Sequence, residues 1–76
     1  MVDLQEGESV LKVVPKPEAS SYLYSYNVTY LLARVKYNNL NKPQWVNLYL
    51  QNRKIWSCNI SYFAKNFERY YKQANN

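Results

Sequence analysis

The sequence predicts a small α+β domain, a curved antiparallel sheet of three to four strands packed by a C-terminal amphipathic helix. Three observations lead there. Apolar and polar residues alternate through 29–37 and again through 44–51, the period of a half-buried strand. After Asn59 the period lengthens to three and four residues, as in a helix with one apolar face. At 76 residues the chain has material for one core.

Residues 1–8 are polar, contain the one glycine (Gly7) and read as a flexible start, leaving 9–74 as a single domain. Ser9–Val14 is rich in β-branched residues and forms the first expected strand. Pro15-Lys16-Pro17 ends it, because proline removes a ladder donor and fixes φ. Tyr22–Tyr37 is the longest β-like stretch. In its second half Leu31, Ala33, Val35 and Tyr37 alternate with Tyr30, Arg34 and Lys36, Leu32 being the exception. In its first half Tyr22, Tyr24 and Tyr26 take every second position, which on a strand sets their rings on one side. A tyrosine face pointing outward throughout and a bulge or turn near Ser25-Tyr26-Asn27 both fit this pattern.

Asn38–Pro43 is a loop, in which asparagine can take left-handed backbone angles where glycine is missing. Gln44–Gln51 gives a third strand, with Val46, Leu48 and Leu50 on one face and Trp45, Asn47 and Tyr49 on the other. Asn52-Arg53 reads as a tight turn and Lys54–Cys58 as a short fourth strand. Ile60, Phe63, Phe67, Tyr70 and Tyr71 then form the stripe of a helix. Asn59 or Ser61 can cap its start, and Glu68 with Lys72 makes an i,i+4 pair. The helix is expected over an inner sheet face of Leu31, Val35, Val46, Leu48 and Leu50.

Charge is unevenly spread. Residues 1–18 carry Asp3, Glu6, Glu8 and Glu18 against Lys12 and Lys16, a net of −2. Residues 19–76 carry Arg34, Lys36, Lys42, Arg53, Lys54, Lys65, Arg69 and Lys72 against Glu68 alone, a net of +7. Such a balance favours polyanionic partners, although it also serves simple solubility. With one cysteine and no histidine, neither an internal disulfide nor a four-ligand zinc site can be built. Cys58 has no histidine to activate it and reads as a small semi-buried residue rather than a nucleophile. The carboxylates show no paired spacing, and Gly7 alone makes no phosphate-cradling loop. No enzyme, cofactor, metal or small-molecule substrate is therefore expected. No secretory signal and no membrane-spanning run is legible, so the expected setting is intracellular, in the cytoplasm. A chain this small often leans on self-association, which makes a homodimer an open possibility.

Two tryptophans, nine tyrosines and two phenylalanines remain to be explained. If the aliphatic face lies inward, Tyr30, Arg34, Lys36, Trp45 and Tyr49 face outward, with Arg53 nearby. Aromatic rings offer stacking platforms for bases, and Lys and Arg release counterions from phosphates. The leading expectation is a non-enzymatic nucleic-acid-binding protein, for DNA or RNA, single-stranded or weakly sequence-selective. Tyr30, Trp45 and Tyr49 would stack, and Arg34, Lys36 and Arg53 would meet phosphates. The alternative is a small viral or mobile-element effector that binds a host protein through the same face or a strand edge, since Tyr, Trp and Arg dominate interface hot spots. Ordinary strand preference and cross-strand pairing also favour these aromatics. The helical stripe could dock on a partner, but a domain this small needs it as core.

The element order and basic charge resemble chromodomain-like and small archaeal chromatin proteins over about Ser9–Gln73. That resemblance implies an SH3-like sheet with a terminal helix. No motif of theirs is matched, and the scarcity of glycine argues against a closed barrel.

Overall fold

The computed structural model describes residues 2–71. Its elements run β1 (Val10–Pro15), α1 (Ser21–Tyr24), β2 (Leu31–Tyr37), β3 (Pro43–Leu50), β4 (Arg53–Asn59), α2 (Ile60–Asn66) and β5 (Phe67–Arg69). All five strands belong to one antiparallel sheet of order β4-β3-β2-β1-β5. β4 and β5 are its two edges, so the sheet is open rather than closed. The α+β class and the antiparallel sheet agree with the alternation in the sequence. Among the described residues the number of strands is five rather than three to four, and the C-terminal helix is followed by a strand.

The alternating residues sort as pleating requires. Leu11 and Val13 of β1, Leu31, Ala33 and Val35 of β2, and Val46 and Leu48 of β3 are all buried on one face. Leu50 is partly buried against the same core. α2 packs over β3 and β4. Its Phe63 is fully buried, and Phe67, at the start of β5, stacks on it with ring centroids 5.4 Å apart. Asn59 caps the helix as its position indicated, with Oδ1 accepting from the Tyr62 amide at 2.8 Å.

The helix is shorter than the stripe implied. It stops at Asn66, whose buried side chain donates from Nδ2 to the Tyr62 carbonyl at 3.1 Å. Phe67 is already extended, at φ −130° and ψ 161°. The spacing of Phe63 and Phe67 suits a helix, but Phe67 reaches Phe63 from a strand that pairs with β1, Pro15 opposite Phe67 and Val13 opposite Arg69. Tyr70 and Tyr71 consequently lie beyond the helix. Lys72, the expected partner of Glu68, lies outside the described residues, as do residues 73–74 of the expected domain.

The tyrosine ladder is not a strand. Ser21–Tyr24 is a single helical turn, started by Ser20, whose Oγ accepts from the Tyr22 amide at 3.2 Å. Leu23 is the residue this turn buries. Tyr22 and Tyr26, four residues apart, meet edge to face at 5.4 Å with their hydroxyls 2.7 Å apart. Asn27, at φ +48°, turns the chain toward β2.

Asparagine does stand in for glycine at the turns. Asn41 sits at φ +60° in the β2–β3 loop, where the Asn38 Oδ1 accepts from the Leu40 and Lys42 amides at 2.8 and 3.0 Å. The β3–β4 hairpin turns on Gln51 and Asn52, at φ +51° and +69°, the paired left-handed angles of a two-residue turn whose twist matches the flanking strands.

Residues 2–8 form no strand or helix, yet they make specific contacts. Val2 is 6% exposed, and its amide donates to the Ala64 carbonyl at 3.2 Å. Glu8 receives both arms of the Arg69 guanidinium, at 2.8 and 2.9 Å, and Arg69 also donates to the Asp3 carbonyl at 3.0 Å. The Tyr37 hydroxyl donates to the Glu8 carbonyl. These bonds tie the first residues to β5 and to the end of β2. Among the described residues no helix is long and apolar enough to cross a membrane.

Candidate nucleic-acid interface

With one face of the sheet under α2, the register fixes what the other presents. Directly paired residues share a face, so three rows can be read across the strands. Lys36 lies beside Trp45 and Asn59. Val10, Arg34, Asn47 and Ser57 form the next row. Lys12, Leu32, Tyr49 and Lys54 form the third. Tyr70 extends that last row, since its amide donates to the Lys12 carbonyl at 2.9 Å and continues the β1–β5 ladder. Tyr30 stands just before β2, at the head of the same face.

Five of the six residues singled out from sequence therefore come together. Trp45 is 43% exposed and Tyr30 37%, while Tyr49 is half-buried and Arg34 and Lys36 are exposed. The Arg34 guanidinium carbon lies 5.6 Å from the centre of the Tyr49 ring. The Lys12 ammonium lies 4.7 Å from the centre of the Tyr30 ring, which is itself 5.2 Å from that of Tyr70. Both are cation–π contacts. Leu32 and Val14, on the same face by register, are half-buried.

Arg53 does not join them. It pairs with Leu50, one residue past Tyr49, and so stands on the opposite side of the sheet, where its charge acts on Tyr26. The cause is a bulge: Leu48 pairs with Trp56 and Tyr49 with Lys54, leaving Ile55 as an extra residue. That insertion brings Lys54 beside Tyr49 in place of Ile55.

Sequence reasoning missed Lys12, Lys54 and Tyr70. Lys12 was within reach, because it lies between the inward residues Leu11 and Val13. Lys54 depends on the bulge, and Tyr70 on the unforeseen fifth strand; neither leaves a local signal.

The electrostatics of the face are one-sided. Among the described residues, none of Lys12, Arg34, Lys36 and Lys54 is ion-paired; the salt bridge present is Arg69 with Glu8. Hydrogen bonding from Arg69 holds the Glu8 carboxyl well below its ordinary range, at about 2. Glu68 is an acidic residue on the outer face, placed there by its pairing with Val14.

Tyr22, Tyr26, Trp56, Tyr62, Phe63 and Phe67 form a separate aromatic group on the covered side. Trp56 has its ring 5.9 Å from Tyr22 and 6.3 Å from Tyr62. Its Nε1 is buried and, among the described residues, without a hydrogen-bond partner. The Tyr22 hydroxyl bonded to Tyr26 raises the latter's pKa. Cys58 is buried beneath α2, and burial pushes its thiol up to about 11, far from a thiolate nucleophile.

No protein-family model matches this chain, and neither a curated protein nor a solved structure is significantly similar to it.

Proposed function

We propose that the outer face of the sheet binds nucleic acid without catalysis and with little sequence preference. Trp45, Tyr49 and Tyr30 supply flat surfaces for bases, and Arg34, Lys36, Lys12 and Lys54 supply charge for phosphates. The observation that supports this reading best is the interleaving: each ring has a cation that is paired with no carboxylate among the described residues. Stacking is indifferent to base identity because every base has a π-face, and phosphate contacts carry no sequence. Lys54 takes the role that sequence reasoning gave to Arg53.

Titration with single-stranded DNA and RNA at two salt concentrations, followed by tryptophan quenching, tests it. Affinity is expected to fall steeply with salt, with a logarithmic slope of about 0.7 per phosphate contact on a single strand. The Arg34→Ala/Lys36→Ala pair is expected to reduce that slope by about 1.4. Absence of binding to any oligonucleotide at low salt overturns the proposal and leaves docking to a host protein as the use of this face.

A further inference from the structure

We infer that the ligand of this face is an extended single strand, about four nucleotides of it, lying obliquely from Trp45 over Tyr49 to Tyr30 and Tyr70. The inference rests on the nucleic-acid reading above and gives it a form and a length.

The path follows from where the rings stand. Trp45 and Tyr49 are four residues apart on β3, about 13 Å at the rise of a strand. Tyr49 pairs with Leu32, and Tyr30 stands two residues before Leu32, a diagonal step of about 8 Å. The three stations are therefore too far apart to contact neighbouring bases of a stacked duplex, whose π-faces are in any case closed to them. A strand whose bases are splayed apart offers one open face to each ring.

Phosphate contacts can follow the same line. Lys36 is beside Trp45, Arg34 stands between Trp45 and Tyr49, Lys54 is beside Tyr49, and Lys12 lies over Tyr30. The line has an end. With Val13 opposite Leu31, Tyr30 falls in the row of Val14 and Glu68, so the line stops at this row, where a carboxylate repels a further phosphate. Lengthening the strand past this point adds no cation among the described residues of the face.

In the free protein a cation rests against two of the rings. Arg34 lies over Tyr49 and Lys12 over Tyr30, whereas among the described residues no cation lies over Trp45. Trp45 is thus the open station where a base stacks first. An arriving phosphate then draws Arg34 and Lys12 from their rings and frees these for the next bases.

The test is a length series: oligothymidylates of two to about twelve nucleotides, and a duplex of the longest length, titrated at low salt. Affinity is expected to rise steeply to about four nucleotides and then only in proportion to the number of added binding registers. The duplex is expected to bind at least about tenfold more weakly than the single strand of equal length. Trp45→Ala is expected to cost about tenfold on the longer strands. Because Trp45 is exposed, thermal melting of this variant will show whether the fold persists, and the length series on the unaltered protein needs no variant. Continued gain well beyond four nucleotides, or a duplex bound as tightly as the single strand, overturns the inference and leaves the nucleic-acid reading standing. Failure of every oligonucleotide and of the duplex overturns both.

Discussion

The ammonium of Lys12 in β1 lies 4.7 Å from the centre of the ring of Tyr30, the residue just before β2, although the whole of α1 separates the two in sequence. Antiparallel pairing of β1 with β2 creates this contact, because Val13 opposite Leu31 leaves Lys12 and Tyr30 on a diagonal. The same geometry repeats one strand over, where Arg34 rests against Tyr49 across β2 and β3. Ring and cation are thus matched by register rather than by nearness in the sequence.

Tyr49 separates stacking from charge. Replacing it by leucine keeps an apolar strand residue but removes the π-face. Tyr49→Leu is expected to weaken single-strand binding by about 1–3 kcal/mol, equally for different base compositions. Its salt slope is expected to stay unchanged, since no phosphate contact is lost. Isothermal titration at several salt concentrations checks both. A loss confined to one base composition argues against stacking as the mechanism.

The Glu8–Arg69 pair links the first residues to β5, and its pH dependence has a definite sign. Glu8 is held at about 2 in the folded protein against an ordinary value of 4.5. A depressed folded-state pKa contributes stability that is fully present above the ordinary value. That stability is lost as pH falls from about 4.5 toward 2. Glu8→Gln is expected to cost about 1 kcal/mol at neutral pH, at the upper end for a surface pair because the contact is bidentate. It is also expected to flatten the acid limb of the stability curve. Urea melts of both proteins between pH 2 and pH 7 measure the difference.

The β3–β4 turn leaves room for improvement. Gln51 and Asn52 both sit at positive φ, and glutamine gains nothing there. Asn-Gly is the preferred pair for such a turn. Gln51→Asn combined with Asn52→Gly is expected to raise stability by about 0.5–1 kcal/mol without affecting binding, read as a rise in melting temperature.

Cys58 is expected to be silent. Burial and a pKa near 11 keep it a thiol at neutral pH. A thiol reagent at pH 8 is expected to label the native protein far more slowly than the urea-unfolded chain, as mass spectrometry can follow. Equal rates in the two states would contradict its place beneath α2.

Much of the sheet was legible in the sequence. The alternation in β2 and β3 identifies both faces, because a two-residue period has only one way to bury Leu31, Val35, Val46 and Leu48 together. That was sufficient to bring Tyr30, Arg34, Lys36, Trp45 and Tyr49 onto one surface. Two features misled. Tyrosines at every second position imitate a strand, yet the Ser20 cap, buried Leu23 and left-handed Asn27 produce a helical turn. Phe67 continues a helical stripe in sequence while starting β5 in space. Arg53 and Lys54 exchange sides because of one extra residue at Ile55, a change of register that local composition does not encode. In each case tertiary pairing decided between two local patterns of similar strength.

The central claim is that the exposed sheet face, and not the covered aromatic group, meets the ligand. The two tryptophans divide along this line: Trp45 stands on the outer face, and Trp56 is packed between Tyr22 and Tyr62. Their indole N–H resonances can be followed separately by NMR during titration with a short single-stranded oligonucleotide. The Trp45 resonance is expected to move progressively to saturation while that of Trp56 stays in place. A stationary Trp45 signal, or a shift confined to Trp56, would contradict the assignment of the binding surface.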